Sequence, residues 1–334
     1  MSERGGWHRR HRPHGRRSSA PRGVALLTVL LVTALVAVIV IGMIDRHRLS
    51  IARTRLTVNG AQLQAHALSA ESHFRALLQA DLEQEGEGEA FDAASDDWYE
   101  PTYEPEDDLA EITMRVRDLS GRLNLNATRD PAGRDRLRRL LRALSLDETL
   151  ADAVADWIDE DQDPSGSGAE DGVYLLRDPP FRAANGAMAS VTELRLLPEV
   201  DEEVFRTLLP HVAALPSQAR RVNVNTATGP VLSALAPGMT PEAAAAWADP
   251  EPPWNLPGDL VAREAGFAPE LGMMSVRSRF FEVLILVEHG DGAVTLRSVI
   301  HRDPETARTT VLARDFARHF ETWAMPPADD EEIR

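Results

Sequence analysis

The 334-residue sequence contains no cysteine and no lysine. Without cysteine, the chain has no disulfide bonds, no thiolate metal ligands and no cysteine nucleophile, so an exported fold must be stable without covalent cross-links. Without lysine, all 36 basic side chains are arginines. We interpret this absence, together with the high alanine content, as a bias in genome composition that carries no chemical meaning.

The sequence also lacks the common signatures of catalysis. It contains no nucleophile-elbow glycine pattern, no phosphate-cradling glycine loop and no His-Glu-x-x-His pattern. The ten histidines are scattered, and three of them lie in the first 23 residues. Pairs of carboxylates are frequent, but in a chain with 53 acidic residues most are expected to be solvated surface groups. We therefore expect no enzymatic activity.

Charge is distributed unevenly along the chain. The net charge is −17, yet residues 1–23 carry seven arginines and only one glutamate. Basic residues before an apolar helix place its N-terminus in the cytoplasm, although Arg46, Arg48, Arg53 and Arg55, just beyond the helix, weaken this signal. The strongly acidic remainder disfavours nucleic acid and anionic lipid surfaces as main partners.

A long uncharged run follows the basic leader. Residues 24–44 contain no charged side chain, and a helix of this length rises roughly 31 Å, about the hydrocarbon thickness of a bilayer. We predict a transmembrane helix here. A secretory signal has a shorter apolar core and is cut after it, whereas Gly23 precedes this run. On this stretch alone, an uncleaved signal-anchor helix remains the alternative.

The rest of the chain predicts a discontinuous α+β body. Residues 45–82 contain no proline, and an apolar residue recurs every seventh position, at Leu49, Leu56, Leu63, Ala70 and Leu77. This spacing predicts an amphipathic helix that continues the membrane helix, with a free coiled coil as the alternative. Alternating apolar residues predict a first strand that starts near residue 112 and, much later, strands at 280–288, 293–300 and 309–313.

A mainly helical insertion of roughly 150 residues separates the early strand from the late ones. We predict helices at 134–143, 146–159, 191–197 and 202–214, followed by a second helical piece that reaches about residue 272. Leu123-Asn124-Leu125-Asn126 and Val222-Asn223-Val224-Asn225 are similar enough to indicate a duplicated unit. In each copy an asparagine or threonine is placed where it can cap the next helix.

One loop of the insertion matches a calcium pattern at its acidic positions. Asp159, Asp161 and Asp163 occupy loop positions 1, 3 and 5, and Glu170 occupies position 12. Position 6, where that pattern requires glycine, is Pro164, so the loop cannot follow an EF-hand path throughout. Clustered hard oxygen ligands still favour Ca²⁺, and a solvated acidic loop is the alternative. Asp171 and Asp156 are weaker candidate ligands.

Five motifs follow one another along the chain, and each is read directly from the sequence. They are Gly23-Val24-Ala25-Leu26-Leu27-Thr28-Val29-Leu30-Leu31, Leu119-Ser120-Gly121-Arg122-Leu123-Asn124-Leu125-Asn126, Asp156-Trp157-Ile158-Asp159-Glu160-Asp161, Pro180-Phe181-Arg182-Ala183-Ala184-Asn185 followed by Ala189-Ser190-Val191-Thr192-Glu193-Leu194-Arg195, and Val222-Asn223-Val224-Asn225-Thr226-Ala227. In this order the five motifs resemble the minor pseudopilin K family of bacterial type II secretion systems.

The resemblance implies a pilin-like antiparallel sheet with a large inserted, mainly helical domain of the SAM-like type. By this resemblance the chain begins with a basic leader at 1–23 that is removed and a transmembrane helix at 24–44. The pseudopilin helix and first strands follow at 45–129, and two inserted helical units occupy 130–216 and 217–274. The remaining sheet is expected at 275–325 and an acidic tail at 326–334. It further implies calcium in the inserted domain.

The same resemblance implies processing, partners and location. Prepilin peptidase would cut between Gly23 and Val24. The mature chain would be a single-pass inner-membrane protein, with its N-terminus cytoplasmic and its bulk periplasmic, and would later stand at the tip of the pseudopilus with minor pseudopilins I and J and other pseudopilins. We expect a role in pseudopilus assembly and in protein export across the outer membrane.

The fifth mature residue supports the tip position. Most pilin-like subunits carry glutamate there, and its carboxylate can pair with the N-terminal ammonium of a neighbouring subunit inside the bilayer, where an unpaired charge is costly. Here that residue is Thr28. A subunit without the carboxylate is poorly suited to lie beneath another subunit's free N-terminus, but it is suited to the end of a filament.

A membrane-anchored DNA-binding protein of the competence type is the alternative function. The box at 222–227 also resembles the opening of helix-hairpin-helix modules, which hold phosphates with a glycine-rich hairpin and nearby basic residues. The residues that follow this box include Asp249, Glu251, Asp259 and Glu264 and few arginines. Because this composition is wrong for a phosphate backbone, we expect no nucleic-acid partner.

Overall fold

The computed structural model describes residues 22–84, 91–105, 110–290 and 292–316. It separates into two compact units, Met1–Asn59 and Gly60–Arg334. Residues 1–21 of the predicted leader (1–23) and the predicted acidic tail at 326–334 lie outside the described residues. The described part of the first unit is helical throughout, and the second unit holds the sheet and the insertion.

The first helix, α1, runs from Arg22 to Gln84. The absence of proline over these 63 residues allows every backbone N–H beyond the first turn to keep its helical partner. Among the described residues, α1 is the one helix that is long and apolar enough to cross a bilayer, judged by length and composition.

Four antiparallel strands form the main sheet in the order β1-β6-β7-β8. Their bounds are β1 Glu111–Asp118, β6 Phe280–His289, β7 Gly292–Arg302 and β8 Thr309–Asp315. The predicted late hairpin and edge strand are therefore present. Strand β1, about 160 residues earlier in the chain, pairs with β6 from Glu111 opposite Glu288 to Asp118 opposite Phe281.

The C-terminal part of α1 covers one face of this sheet. Its buried face is Leu63, Ala67, Ala70, Phe74 and Leu78, which follows the 3.6-residue period of a straight helix and not a strict heptad. Sheet residues pack against that face in one core, namely Met114, Phe281, Val283, Ile285, Val287, Leu296 and Ile300. Of the predicted stripe, Leu49 and Leu56 are exposed and Leu77 is half-buried.

An ion pair between the buried Glu71 and the partly exposed Arg314 fixes α1 to the edge strand of the sheet. Glu71 is fully buried and accepts two hydrogen bonds of 2.7 Å from the Arg314 guanidinium. A third hydrogen bond, also 2.7 Å, comes from Ser298 Oγ. Because a buried carboxylate without such partners would be strongly destabilising, these contacts hold β7 and β8 in register against the helix.

The insertion occupies residues 119–279 and consists of short helices and two small parallel ladders. Its helices are α2 Pro131–Ala143, α3 Leu150–Ile158, α4 Asp171–Tyr174, α5 Glu202–Leu208, α6 Gly229–Leu235, α7 Pro241–Ala245 and α8 Pro257–Arg263, with 3₁₀ turns at Leu125–Arg129, Val191–Leu196 and Ala265–Met273. The ladders pair β2 Leu123–Asn124 with β3 Val212–Ala213 and β4 Val222–Asn223 with β5 Met274–Ser275.

Two predicted helix boundaries are wrong. The helix expected at 202–214 ends at Leu208, because Val212 and Ala213 pair with β2 and are completely buried. The helix expected at 146–159 begins at Leu150, after a turn in which Asp147 Oδ1 accepts a hydrogen bond from the Thr149 amide. Residues from both predicted units of the insertion share one hydrophobic core.

The two asparagine boxes have equivalent structures. In each box the first asparagine, Asn124 or Asn223, accepts a hydrogen bond from the amide two residues later. The second asparagine holds a distant loop through both polar atoms of its side-chain amide. Asn126 donates from Nδ2 to the Met188 carbonyl oxygen and accepts at Oδ1 from the Met188 N–H. Asn225 makes the same two hydrogen bonds with Trp254. The boxes therefore share one local fold, and their asparagines pair with backbone groups at a distance.

Candidate calcium site

The acidic loop begins where α3 ends. Asp159 is the C-terminal cap of α3 and has an extended backbone, so the chain leaves the helix and turns back over it. Asp156, completely buried on the last turn of α3, accepts hydrogen bonds of 3.1 and 3.0 Å from the Ser165 amide. A Cβ on Gly168 would lie 1.9 Å from Asp156 Oδ2, so only glycine allows this close approach.

Three of the predicted ligands meet in this loop. Carboxylate oxygens of Asp159, Asp161 and Glu170 all lie within 4.8 Å of one another. Glu170 is only 6% exposed, and neither of its oxygens has a hydrogen-bond partner among the described residues. Asp159 Oδ1 is likewise buried without a partner there. Buried anionic oxygens without donors are costly, which makes this group an incomplete site.

The electrostatics of the loop agree with this geometry. Burial, followed by the neighbouring carboxylates of Asp156, Asp159 and Asp161, raises the pKa of Glu170 to about 7. Burial and the charge of Asp161 also raise the pKa of Asp159. Crowded carboxylates resist ionisation together unless a cation neutralises them. The arrangement can therefore hold a positive ion.

Asn185 lies beside this loop, and the calcium pattern in the sequence did not include it. Its Nδ2 donates a 2.9 Å hydrogen bond to the backbone oxygen of Asp161. Its Oδ1 is buried without a partner among the described residues, and its backbone has a positive φ of 46°. Its place at the end of the predicted Pro180–Asn185 motif was the only sequence signal.

Two other predicted ligands lie outside the three-carboxylate group. Asp163 donates its backbone N–H to Asp161 Oδ1 at 2.9 Å, which orients the Asp161 carboxylate. Asp171 accepts hydrogen bonds of 3.1 Å from the Arg182 guanidinium and 3.0 Å from the Ala183 amide. Through these two hydrogen bonds, Asp171 holds the segment that carries Asn185 beside the loop.

The donor set fits Ca²⁺. Calcium takes six to eight hard oxygen ligands from carboxylates, carbonyls, amide oxygens and waters. Asp159, Asp161 and Glu170 supply three carboxylates, and Asn185, which bonds to the backbone of Asp161, has an amide oxygen that is buried without a partner among the described residues. The chain offers no thiolate, and no histidine belongs to the described cluster, so a softer transition metal is disfavoured.

The predicted processing site lies at the start of α1. Gly23 and Val24 are in the first helical turn of the described chain. Thr28 Oγ1 donates a 2.9 Å hydrogen bond to the Ala25 carbonyl oxygen and is exposed in this structure. Its hydroxyl is therefore occupied within its own helix and offers no negative charge to a neighbour.

A long apolar helix, partly covered by an antiparallel sheet interrupted by a helical insertion, defines a pilin-like subunit. Two family models, both described as type II secretion system (T2SS) protein K, match residues 117–217 and 222–268. Type II secretion system protein K of Pseudomonas aeruginosa is 37% identical over 314 residues, which cover 89% of this chain and 93% of the relative. The protein of the same name from Pectobacterium carotovorum subsp. carotovorum is 33% identical, with 85% and 93% covered.

The chain therefore belongs to the type II secretion system protein K family, whose members are structural minor pseudopilins. A solved structure of the GspK-GspI-GspJ complex from the type 2 secretion system of enterotoxigenic Escherichia coli has the same fold. The TM-score is 0.66 at 24% sequence identity, and the match covers 79% of this chain and 99% of that chain.

Proposed function

We propose that this minor pseudopilin caps the tip of the type II secretion pseudopilus together with minor pseudopilins I and J of its own system. The observation that carries the proposal is Thr28, since a subunit without a carboxylate at this position offers no partner for the ammonium of a subunit stacked beyond it. The similar solved chain comes from a GspK-GspI-GspJ complex, which supports the choice of partners.

The insertion supports the same position. It contributes residues 119–279 to the second unit, a bulk that would obstruct regular stacking within a thin filament. The partner surface would then be the exposed part of α1 and the sheet. As a cap, the protein would take part in initiating assembly and hence in export of proteins from the periplasm across the outer membrane.

Complex formation tests this proposal. The region from about Ser50 onward should form a stoichiometric complex with the soluble regions of its own I and J partners and should not polymerise alone. Size-exclusion chromatography with light scattering would measure both properties. Self-assembly of this region into filaments, or its failure to bind the I–J pair under conditions in which I and J bind each other, would contradict the cap.

We further propose that the mature chain crosses the inner membrane once through the first part of α1, with its N-terminus in the cytoplasm. The leader with its seven arginines supports this orientation. Prepilin peptidase, which acts on the cytoplasmic side, would then remove residues 1–23 before assembly. The acidic body would lie in the periplasm, where we expect neither catalysis nor nucleic-acid binding.

The acidic loop is proposed to bind Ca²⁺ through Asp159, Asp161 and Glu170, with Asn185 as an additional oxygen ligand. The buried, unpaired oxygens of Glu170 carry this assignment. Ligand roles for Asp163 and Asp171 remain predictions. A bound cation would neutralise the crowded carboxylates and fix the loop against α3, so binding would stabilise the folded insertion.

Calcium titration of the melting temperature tests the site. A hundredfold excess of Ca²⁺ over its dissociation constant adds about 2.7 kcal/mol to the free energy of unfolding. Asp161→Ala combined with Glu170→Ala should abolish the shift, and Asn185→Ala should weaken calcium binding. Glu160→Ala, in the same loop but outside the cluster and paired with Arg129, is the matched control. No shift of the unaltered protein in millimolar calcium would leave only a solvated loop.

A further inference from the structure

A groove separates the insertion from the outer face of the sheet, the face opposite α1. Its first section is an apolar cavity of about 300 Å³. Val299 of β7 and Leu312 and Ala313 of β8 form one wall, and Leu119 and Leu215 of the insertion form the other. Leu312 is 48% exposed, so the apolar wall is open at the end where β8 finishes.

The second section of the groove is basic. A cavity of about 350 Å³ lies next to the first and shares Leu215 with it. Four arginines line this second cavity: Arg220, Arg221, Arg277 and Arg279. Asp130 pairs with Arg220 across 2.8 Å, while Arg279 lies 3.4 Å from another base, His301. Burial and then the charge of Arg279 lower the pKa of His301, and the charge of Asp303 acts in the opposite direction.

Eighteen residues follow the last described residue, Phe316. Their composition changes in the same order as the groove. The first part carries Phe320, Trp323 and Met325, and the second part carries four consecutive acidic residues, at positions 329–332. The first part also carries Arg318, His319 and Glu321. Large apolar side chains followed by an acidic run therefore come after a strand that lines an apolar cavity, and a basic cavity lies next to that one.

We propose that the C-terminal segment 317–334 of this chain docks in the groove, with its aromatic residues in the apolar cavity and its acidic residues against the four arginines. Strand β8 leads directly to the entrance, since Ala313 lines the cavity and the described chain ends three residues later. Both cavities lie within the second compact unit, so the docking is intramolecular.

The length of the segment allows this path. From Phe316 to Asp329, the first of the four consecutive acidic residues, are thirteen residues, which span up to roughly 43 Å when extended. Strand β8 has seven residues and covers about 23 Å. The segment is therefore long enough to reach back along the whole of β8. It can reach the end of the sheet where β6 begins at Phe280, directly after Arg279.

The physical reasons for docking act at both ends of the segment. Burial of the aromatic side chains removes apolar surface from water, which favours the docked state. The acidic residues would meet a cluster of opposite charge in a protein whose net charge of −17 repels them elsewhere. Because the segment is tethered, its effective concentration at the groove is in the millimolar range.

Engineered disulfide formation tests the proposal, and the natural absence of cysteine makes the experiment clean. The test pair combines Gln218→Cys with Glu331→Cys. Gln218 lines the basic cavity, and Glu331 belongs to the acidic run of the segment. In the full chain, processed and reconstituted in nanodiscs, this pair should oxidise to an intramolecular disulfide at least about tenfold faster than a control pair. The control combines Glu331→Cys with Leu176→Cys, an 87% exposed position of the insertion outside the groove.

Charge reversal of the groove provides the second arm. Arg221→Glu with Arg279→Glu should slow formation of the 218–331 disulfide to the rate of the control pair, and high salt should do the same. Arg195→Glu with Arg206→Glu, outside the groove, should leave the rate unchanged. A thermal melt of each variant shows whether the protein is folded.

Three outcomes would overturn the proposal. The first is a disulfide rate equal to that of the control pair, which would leave the segment outside the groove. The second is a disulfide that forms only between two chains, which would make a second copy the occupant. The third is fast disulfide formation that charge reversal does not affect, which would exclude recognition by the arginines.

Discussion

At the scale of single residues, Glu170 is a buried and His211 a half-buried titratable group, and the neutral form of each is favoured. Burial and neighbouring carboxylates act on Glu170, and a cation can relieve that cost. At His211, burial and the positive charge of Arg122 disfavour the protonated imidazole and lower its pKa to about 4. Its Nδ1 lies 2.7 Å from Thr228 Oγ1, between β3 and α6, where the two asparagine boxes meet the same core.

The depressed pKa of His211 predicts acid sensitivity of the insertion. An imidazole with a pKa of about 6.5 in the unfolded chain and about 4 in the folded chain binds more protons when unfolded. Its stabilising contribution is therefore complete above pH 6.5 and is lost as the pH falls towards 4. The loss should be on the order of 2 kcal/mol at pH 4.

Chemical denaturation between pH 7 and 4 measures this loss. His211→Gln keeps a hydrogen-bonding group beside Thr228 and cannot be protonated, so the variant should show a shallower fall in the free energy of unfolding. His289→Gln, at the exposed end of β6, is the control and should follow the unaltered protein. Identical pH profiles for His211→Gln and the unaltered protein would contradict the prediction.

At the scale of elements, α1 has two different roles along one continuous helix. Its first part presents apolar side chains to its surroundings, for example Leu31 at 72% exposure, as expected for a segment that meets lipid. Its last part buries Phe74 and Leu78 against the sheet. The change occurs without a proline or a break in the helix, so both roles belong to one continuous element.

Processing at the start of this element should depend on Gly23. Replacement by leucine should leave an unprocessed precursor, because a peptidase that cuts after glycine has no room for a branched side chain. Gly42→Ala, in the same helix and with nothing within 4 Å of an added Cβ, should be processed normally. N-terminal sequencing of the mature protein measures the cut, and a first residue other than Val24 would be inconsistent with this site.

At the scale of the whole molecule, the insertion and the sheet are joined by buried polar groups. Asp118, at the end of β1, accepts hydrogen bonds from Ser278 Oγ and, at 2.5 Å, from Thr226 Oγ1. Asn223 donates to Ser278 Oγ at 2.7 Å. These contacts connect the point where the insertion leaves the sheet with the point where it returns, and they give the insertion a fixed attachment to the sheet.

The proposed cap has a direct consequence for assembled filaments. An antibody against the insertion should label pseudopili at one end by immunogold microscopy, because one cap suffices for each filament. Overproduction of the protein should shorten pseudopili by supplying more ends, and deletion should impair initiation or length control. Label spread evenly along the shaft would exclude the tip position.

The sequence was sufficient for elements with local periodicity. The uncharged run, the amphipathic continuation, the late hairpin and the edge strand follow from spacing alone, since 3.6- and 2-residue periods are properties of neighbouring residues. The acidic loop was also visible, because three of its carboxylates recur at fixed positions in twelve residues. Family membership followed from the order of five motifs.

Tertiary structure decided what depends on residues far apart in the chain. The helix predicted at 202–214 ends early because Val212 pairs with Leu123, 89 residues away. Asn185 reaches the acidic loop from 24 residues beyond Asp161, and no spacing rule links them. Likewise, the groove joins β8 to the loop before β4. A sequence determines local periods and charge order, but the partners of a buried polar group are set by which segments the closed core brings together.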